Sequence, residues 1–469
     1  MKPDGMARII TANQILSNFI SPAGGSPWVW HEPGSFMPIN ARLFILFRLL
    51  FNCRFYYPVF TVLFLDLGLG IGEFAALNVI WALTIVLLEV PSGALADQFG
   101  RRRLMITAGL LMVAEMALLC LMPVGDHDAV LWLFVLNRIL SGAAEACASG
   151  ADEALAYDSL PEAERPELWP RLMARLQRAM AVGFIISSIT GSILYTHEHV
   201  ASAAAFLGLE VPSRALTMKV PLALNLLTAV ACLITCLRMQ EHETPVSLKQ
   251  SLSGRVVAAF RGIATTGRWI WGSQAVLRLL VLGVVFDSII RLFLTVSSNF
   301  YRLVGISESW YGVIGTAASL LGLLTAGLME RTSQRFSLRR NFTGLALAVF
   351  GGLLAAAHPQ PGWTGVILIL PLMLGMRFLQ FYLSHYLNAE VDSAHRATTL
   401  SFRGLTMNLA YGGMTLLFGW HTHWLAGQSR LTSEDTRVFA DSLAWWPWWF
   451  AGTLLVSLLC LRLHRLRQA

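Results

Sequence analysis

Arg138, Glu145 and Asp152 follow one another at seven-residue intervals inside an otherwise apolar stretch. On a helix that spacing keeps one face, and Gly142 and Ser149 lie on it too. Comparable sets occur elsewhere: Asn52, Arg54 and Tyr57 beside Pro58, the pair Asp287 and Arg291 four residues apart, and Arg377, Gln380 and Ser384. Ionisable groups inside a hydrocarbon-spanning helix are costly and usually face a cavity or a partner. Arginine stays protonated and forks onto carboxylates or phosphates. Arg54, Arg138 and Arg377 therefore read as cavity-lining cations suited to an anionic or zwitterionic solute. Glu145 and Asp287 are the carboxylates placed to exchange a proton. The alternative is ion pairing that only joins helices, and Asp287 with Arg291 has the spacing to neutralise itself.

The elements that must hold these groups are long and apolar. The chain has 469 residues, of which 55% are hydrophobic and 13% charged, with a mean hydropathy of +0.58. Soluble domains carry roughly 25% charged residues, so this composition predicts a multi-spanning membrane protein. Apolar runs of about 20 residues, the length of a membrane-crossing helix, recur along the chain. They do not alternate as barrel strands would. Twelve spans are expected, near 43–66, 72–96, 104–122, 130–157, 172–194, 220–239, 275–300, 309–330, 341–357, 363–387, 398–420 and 444–463.

Positive charge orients them. Arg101–Arg103, Arg165, Arg171, Lys249 to Arg268, Arg331 to Arg340, Arg396 and the C-terminal arginines fall on one side, while the other side holds few. The positive-inside rule puts both termini in the cytoplasm, with "WWPWWF" (Trp445–Phe450) at the outer interface. The net charge of +7 is accounted for by this topology, without nucleic acid as a partner. Residues 1–41 lack a clean apolar core with a cleavage site and read as a cytoplasmic tail. The six cysteines sit in or beside apolar runs without metal-ligand spacing.

The longest hydrophilic connection, residues 240–274, separates six spans (42–239) from six (275–469). "GALADQFGRRR" at Gly93 and "GLMERTSQRFSLRR" at Gly327 lie half a chain apart, as do "AYDS" (Ala156–Ser159) and "EVDS" (Glu390–Ser393). Parallel half-repeats of this kind are a transporter plan.

Arg171, Arg175 and Arg178 form a stripe at the cytoplasmic start of span five, with Arg403 in the like position of span eleven. Pairing with Asp152, Glu153 or Asp158 at the end of span four would make an inner gate; snorkelling to lipid headgroups is the alternative.

"GALADQFGRRR" resembles the cytoplasmic loop signature of the major facilitator superfamily, G-x-x-x-D-[RK]-x-G-R-[RK]. Gly93, Asp97, Gly100, Arg101 and Arg102 match it and Gln98 departs from it. "EVPSGALAD" and "SGADEALAYDS" further resemble a bacterial branch of drug and metabolite exporters. The resemblance implies an all-α fold of two pseudo-symmetric six-helix bundles whose spans one, four, seven and ten line a central cavity. It also implies that Asp97 reaches the start of span eleven near Arg396, as a latch between the halves. Independently, Gly93 is expected to let neighbouring backbones approach.

No nucleophile elbow, phosphate loop or metal spacing is present, so neither enzyme nor cofactor is expected. The expected protein is a monomeric secondary transporter that moves a small organic solute by alternating access, exporting it against protons. A solute importer, or a membrane sensor or assembly protein on the same scaffold, is the alternative. "GFIISSITGS" in span five lacks the Gly-Pro that proton-coupled drug antiporters of the family often carry there.

Overall fold

The computed structural model describes residues 37–469 except 242–251, 392, 430–435 and 469. The side chains of residues 94, 97, 98, 252, 253, 255, 259, 393–398, 429, 467 and 468 lie outside the description. From Ile39 on the chain is one compact unit, and among the described residues every regular element is a helix. Helices satisfy their own backbone groups, which is the condition for crossing lipid.

The first half runs α1 (Ile39–Asn52), a 3-10 turn at Tyr57–Val59, α2 (Phe60–Asp66), α3 (Ile71–Phe99), α4 (Arg101–Cys120), α5 (His127–Ala148) and α6 (Ala151–Asp158). It continues with α7 (Arg165–Tyr195), α8 (His197–Phe206), α9 (Arg214–Thr217) and α10 (Val220–Arg238). Next comes α11 (Leu252–Gly272), in the hydrophilic connection. The second half holds α12 (Gln274–Leu303), α13 (Tyr311–Leu324), α14 (Ala326–Arg335), α15 (Leu338–Ala357) and α16 (Trp363–Leu368). It ends with α17 (Leu370–Glu390), α18 (Ser393–Ser429), α19 (Thr436–Leu443) and α20 (Trp446–Gln468).

Ten segments are long and apolar enough to cross a membrane. An eleventh, Glu308–Leu324 with Ala326–Arg335, is bent by 42°. The twelfth expected span is α18, 37 residues long, or about 55 Å at 1.5 Å per residue. It packs along α3 and α12.

Local chemistry sets the helix ends. The Asp126 carboxylate accepts from the Ala129 N–H at 3.1 Å and starts α5. The Gly70 N–H donates to Glu73 Oε2 at 2.8 Å at the start of α3. Prolines occupy the first turns of α7, α10 and α17, where their missing N–H costs nothing. Small residues then allow close crossings: a Cβ on Gly142 would meet Thr84 at 2.8 Å and the Trp81 carbonyl at 3.0 Å, where α5 packs on α3.

The connection between the halves is partly helical. α11 rests on α3, α12 and α18, with the Phe402 ring 3.2 Å from where a Gly267 Cβ would stand. The tryptophan run divides by depth. Trp445 and Trp448 are exposed, as an interfacial belt requires, whereas Trp446 is fully buried against Phe418 and Phe293.

Candidate functional site

A cavity of about 460 Å³ lies between the halves. Arg377 and Gln380 reach it from α17, Tyr57 from the turn before α2, Ser188 from α7, Ser297 from α12 and Ser319 from α13. Arg377 alone carries a charge among its described lining residues. Arg377, Gln380 and Tyr57 are exposed, so this guanidinium, amide and phenol remain available to a solute. Their arrangement can grip a carboxylate or phosphate at one end and stack or hydrogen-bond at the other.

The other expected cavity arginines are elsewhere. Arg54 and Arg138 are buried, 5% and 3% exposed, on either side of Glu115. Arg54 Nη1 is 3.4 Å from Glu115 Oε2, and Arg138 Nη2 is 4.0 Å from Oε1. Arg138 also donates to Asn137 Oδ1 at 2.7 and 3.0 Å and lies over the Phe60 and Phe64 rings. Lining the cavity is thus corrected to an internal brace of the first half. The cause is Glu115 on α4, whose carboxylate takes both cations out of reach. In sequence it stood as a lone acid in span three.

In the second half Asp287 and Arg291 pair at 2.6 Å, the self-neutralising alternative. Arg291 also donates to Asn408 Oδ1 at 2.8 Å and stacks over Tyr411. Arg403 is half-buried within electrostatic range of Asp287. Glu145, by contrast, is exposed and joins no ion pair among the described residues. Asn52 is exposed and donates to the Arg48 carbonyl of its own helix at 2.8 Å.

At the arginine-rich end the acids of span four find other partners than the stripe. Asp152 is buried and pairs with Arg48 of α1 at 2.5 Å; Arg48 also reaches Glu153 at 3.2 Å. Asp158 pairs with Arg101. Arg175 and Arg178 are exposed on α7, and Arg178 Nε donates to the Ala174 carbonyl. Arg48, which sits amid leucines and phenylalanines in the sequence, is the cation that reaches Asp152 and Glu153.

The loop motif has a local job. Gly100 has φ of 95°, in the left-handed region that favours glycine, and a Cβ there would stand 2.8 Å from the Glu241 carboxylate. That carboxylate accepts from the N–H groups of Arg101 and Arg102 at 3.0 and 2.9 Å, capping α4. In return the Arg102 guanidinium donates to the carbonyls of Met239 and Leu237 at 2.6 and 2.9 Å, capping α10. Two helix ends of opposite polarity therefore cap each other. Gly93, expected at a close crossing, has nothing within 4 Å of a built Cβ among the described residues. The Asp97 and Arg396 side chains lie outside the described residues.

At the arginine-poor end the halves are joined. Asp66 accepts from Arg302 at 2.7 and 2.9 Å and from Arg214 at 2.9 Å. Glu308 accepts from the same two arginines at 2.6 and 3.3 Å. Tyr195 donates to Asp66 at 2.6 Å. Deeper in, the Thr61 N–H donates to Ser298 Oγ at 3.1 Å and its hydroxyl to the Thr295 carbonyl at 2.7 Å. Ser192 donates to the Ser309 carbonyl at 3.1 Å. No motif or spacing in the sequence singles out Asp66 or Glu308. For Asp66 the available signal was a carboxylate at the C-terminal end of a helix, where the dipole disfavours it without a cation.

Long apolar helices in two halves, with a cavity of mixed polarity between them closed at one end by ion pairs, define a membrane carrier for small solutes. The sequence matches the Major Facilitator Superfamily over residues 43–415, and the chain belongs to that family of transporters. It is 23% identical over 412 residues to a tetracycline resistance protein, class G, of Vibrio anguillarum, covering 84% of this chain and 88% of that one. Its fold is similar to that of the nucleoside transporter NupG, with a TM-score of 0.64 at 11% identity, covering 91% of this chain and 98% of that one. It is also similar to a bacterial homologue of the human lysosomal transporter Spinster in an inward-facing, unoccupied conformation. There the TM-score is 0.62 at 16% identity, covering 92% and 98%.

Proposed function

We propose that this chain exports a small anionic or zwitterionic organic solute (a metabolite, siderophore or drug) across the inner membrane by alternating access, coupled to protons. The observation that carries the reading is Arg377, a guanidinium with no ion pair among the described residues, in a 460 Å³ cavity between the halves. Similarity to a tetracycline resistance protein over most of both chains favours outward movement, since clearing a drug from the cell protects its target. A D-xylose–proton symporter shares the fold, with a TM-score of 0.60, and supports protons as the coupling ion. Glu145 is the favoured carrier: it is exposed on α5, whereas Asp287 is held by Arg291 and Asp152, beyond the break at Gly150, is buried.

Residues 42–239 and 275–469 are the two rocking bodies, 240–274 their tether and 1–41 a cytoplasmic tail, in a monomer with both termini inside. With the arginine-rich loops in the cytoplasm, the ion pairs around Asp66 close the outer face and this conformation faces inward. In the opposite state Asp97 near Arg396 latches the inner face, and the open space at Gly93 is where a neighbouring helix settles. Arg48 with Asp152 and Glu153, and Arg101 with Asp158, brace the inner ends of the first half.

The test is metabolite profiling of a deletion strain, inside against outside the cell, followed by transport of the solute found in liposomes bearing a pH gradient. Intracellular accumulation in the deletion strain supports export; depletion indicates import, and no change in any small solute points to a sensor or assembly role. Undiminished pH-driven transport by Glu145→Gln removes that residue from coupling. If Asp97→Asn leaves both rate and inward/outward populations unchanged, the latch is wrong.

A further inference from the structure

A second cavity, of about 620 Å³, lies away from the central one, between the arginine-rich ends of α12, α15 and α20. Its charged lining residues are Arg278, Arg339, Arg462 and Arg465, with His464 beside them, and among the described residues no carboxylate lines it. All four arginines are exposed, and none joins an ion pair among the described residues. Four uncompensated guanidinium groups around one opening repel one another unless an anion sits among them. Arg339 lies in the first turn of α15, where the helix dipole adds to the positive potential.

Behind the arginines the walls become oily. Leu282 and Phe286 of α12, Phe342 and Leu347 of α15, and Leu454 and Leu458 of α20 form the slot. Leu347 and Leu458 are exposed, so the slot faces outward from the bundle at the level of the hydrocarbon. At the rim, His464 Nε2 donates to the Trp271 carbonyl at 3.0 Å and meets the Trp271 ring edge-on. A tryptophan at this height marks the boundary between headgroups and acyl chains.

We propose that this groove binds an anionic phospholipid of the cytoplasmic leaflet, with the phosphate held by Arg278, Arg339, Arg462 and Arg465 and an acyl chain in the slot. Charge complementarity selects the occupant: basic pockets between membrane helices on the cytoplasmic side take acidic headgroups, while a soluble anion leaves the apolar slot unfilled. The site rests on the orientation given above and is independent of the transported solute. By holding α12, α15 and α20 together, the lipid steadies the outer wall of the second half.

Native mass spectrometry of the full chain, extracted into mild detergent and titrated with phosphatidylglycerol or phosphatidylcholine, tests this. One phosphatidylglycerol is expected to be retained per chain in preference to phosphatidylcholine. Retention is expected to fall about 30-fold in Arg339→Gln/Arg462→Gln, from about 1 kcal/mol per arginine. Leu458→Trp, which fills the slot and leaves the arginines intact, is expected to lose the lipid as well. Equal retention of the two lipids, full retention by the double arginine variant, or displacement by millimolar inorganic phosphate would overturn the proposal. Circular dichroism melting of each variant confirms that it is folded. A solute flux that persists without bound lipid leaves the transport reading intact, whichever way the lipid result falls.

Discussion

Asp66 and Arg302 stand 236 residues apart in sequence, in opposite halves of the chain, and meet through two parallel bonds of 2.7 and 2.9 Å. Fork-to-carboxylate geometry makes this a strong polar contact between the two halves, and Arg214, Glu308 and Tyr195 add to it. A contact that exists only when the halves are closed at this end sets how long they remain so.

Asp66→Asn is expected to weaken that closure by about 1–3 kcal/mol, the range for hydrogen bonds to charged groups. That shifts the open population at the arginine-poor end by about 5- to 150-fold. Spin labels at Leu209 and Trp310, exposed in opposite halves, should report a longer-distance population. A distance distribution identical to that of the parent chain would show that Asp66 does not hold the halves.

Gly312 makes the same end sensitive to a single methyl group. A Cβ there would collide with the Ser188 carbonyl of the other half, whereas a Cβ on Gly315 would only touch Phe184 at 3.8 Å. Gly312→Val is therefore expected to slow transport by tenfold or more, as overpacking of about 1–3 kcal/mol acts on the closed state. Gly315→Ala should leave it within twofold. Equal rates for the two variants would count against close backbone contact as a requirement.

Arg377→Gln is expected to raise the apparent KM for an acidic solute by about tenfold or more, with kcat less affected, through loss of a charge-assisted bond. The melting temperature should not move, because the side chain is exposed and joins no ion pair among the described residues. Arg377→Lys should recover part of the affinity, limited by loss of the two-pronged geometry. An unchanged KM in Arg377→Gln would exclude this guanidinium from solute binding.

Glu115 predicts a stability effect with no direct tie to the solute. Glu115→Ala strands Arg54 and Arg138, both buried, and is expected to cost about 3–5 kcal/mol. Glu167→Ala, on the exposed surface of α7, should change stability by less than about 0.5 kcal/mol. Thermal unfolding in detergent compares them, and similar melting temperatures would contradict the brace.

The sequence by itself determined the all-helical membrane architecture, its division into halves and the loop motif of the family. Each of these depends on local properties: apolar run length, the side on which arginines fall, and the spacing of Gly93, Asp97 and Gly100 along one segment. It also found Arg377, Gln380 and Tyr57, because a polar group within an apolar helix stands out without knowledge of its neighbours.

Only the tertiary structure decided which polar groups remained available. Arg54, Arg138 and Arg377 look alike along the chain, yet the first two are buried around Glu115 of a different helix while the third faces the cavity. Arg48 rather than Arg178 reaches Asp152, and Glu241 rather than the loop itself caps the helix beginning at Arg101. Electrostatic pairing acts through space over a few ångströms, and helix packing sets those distances between residues that sequence separation does not relate.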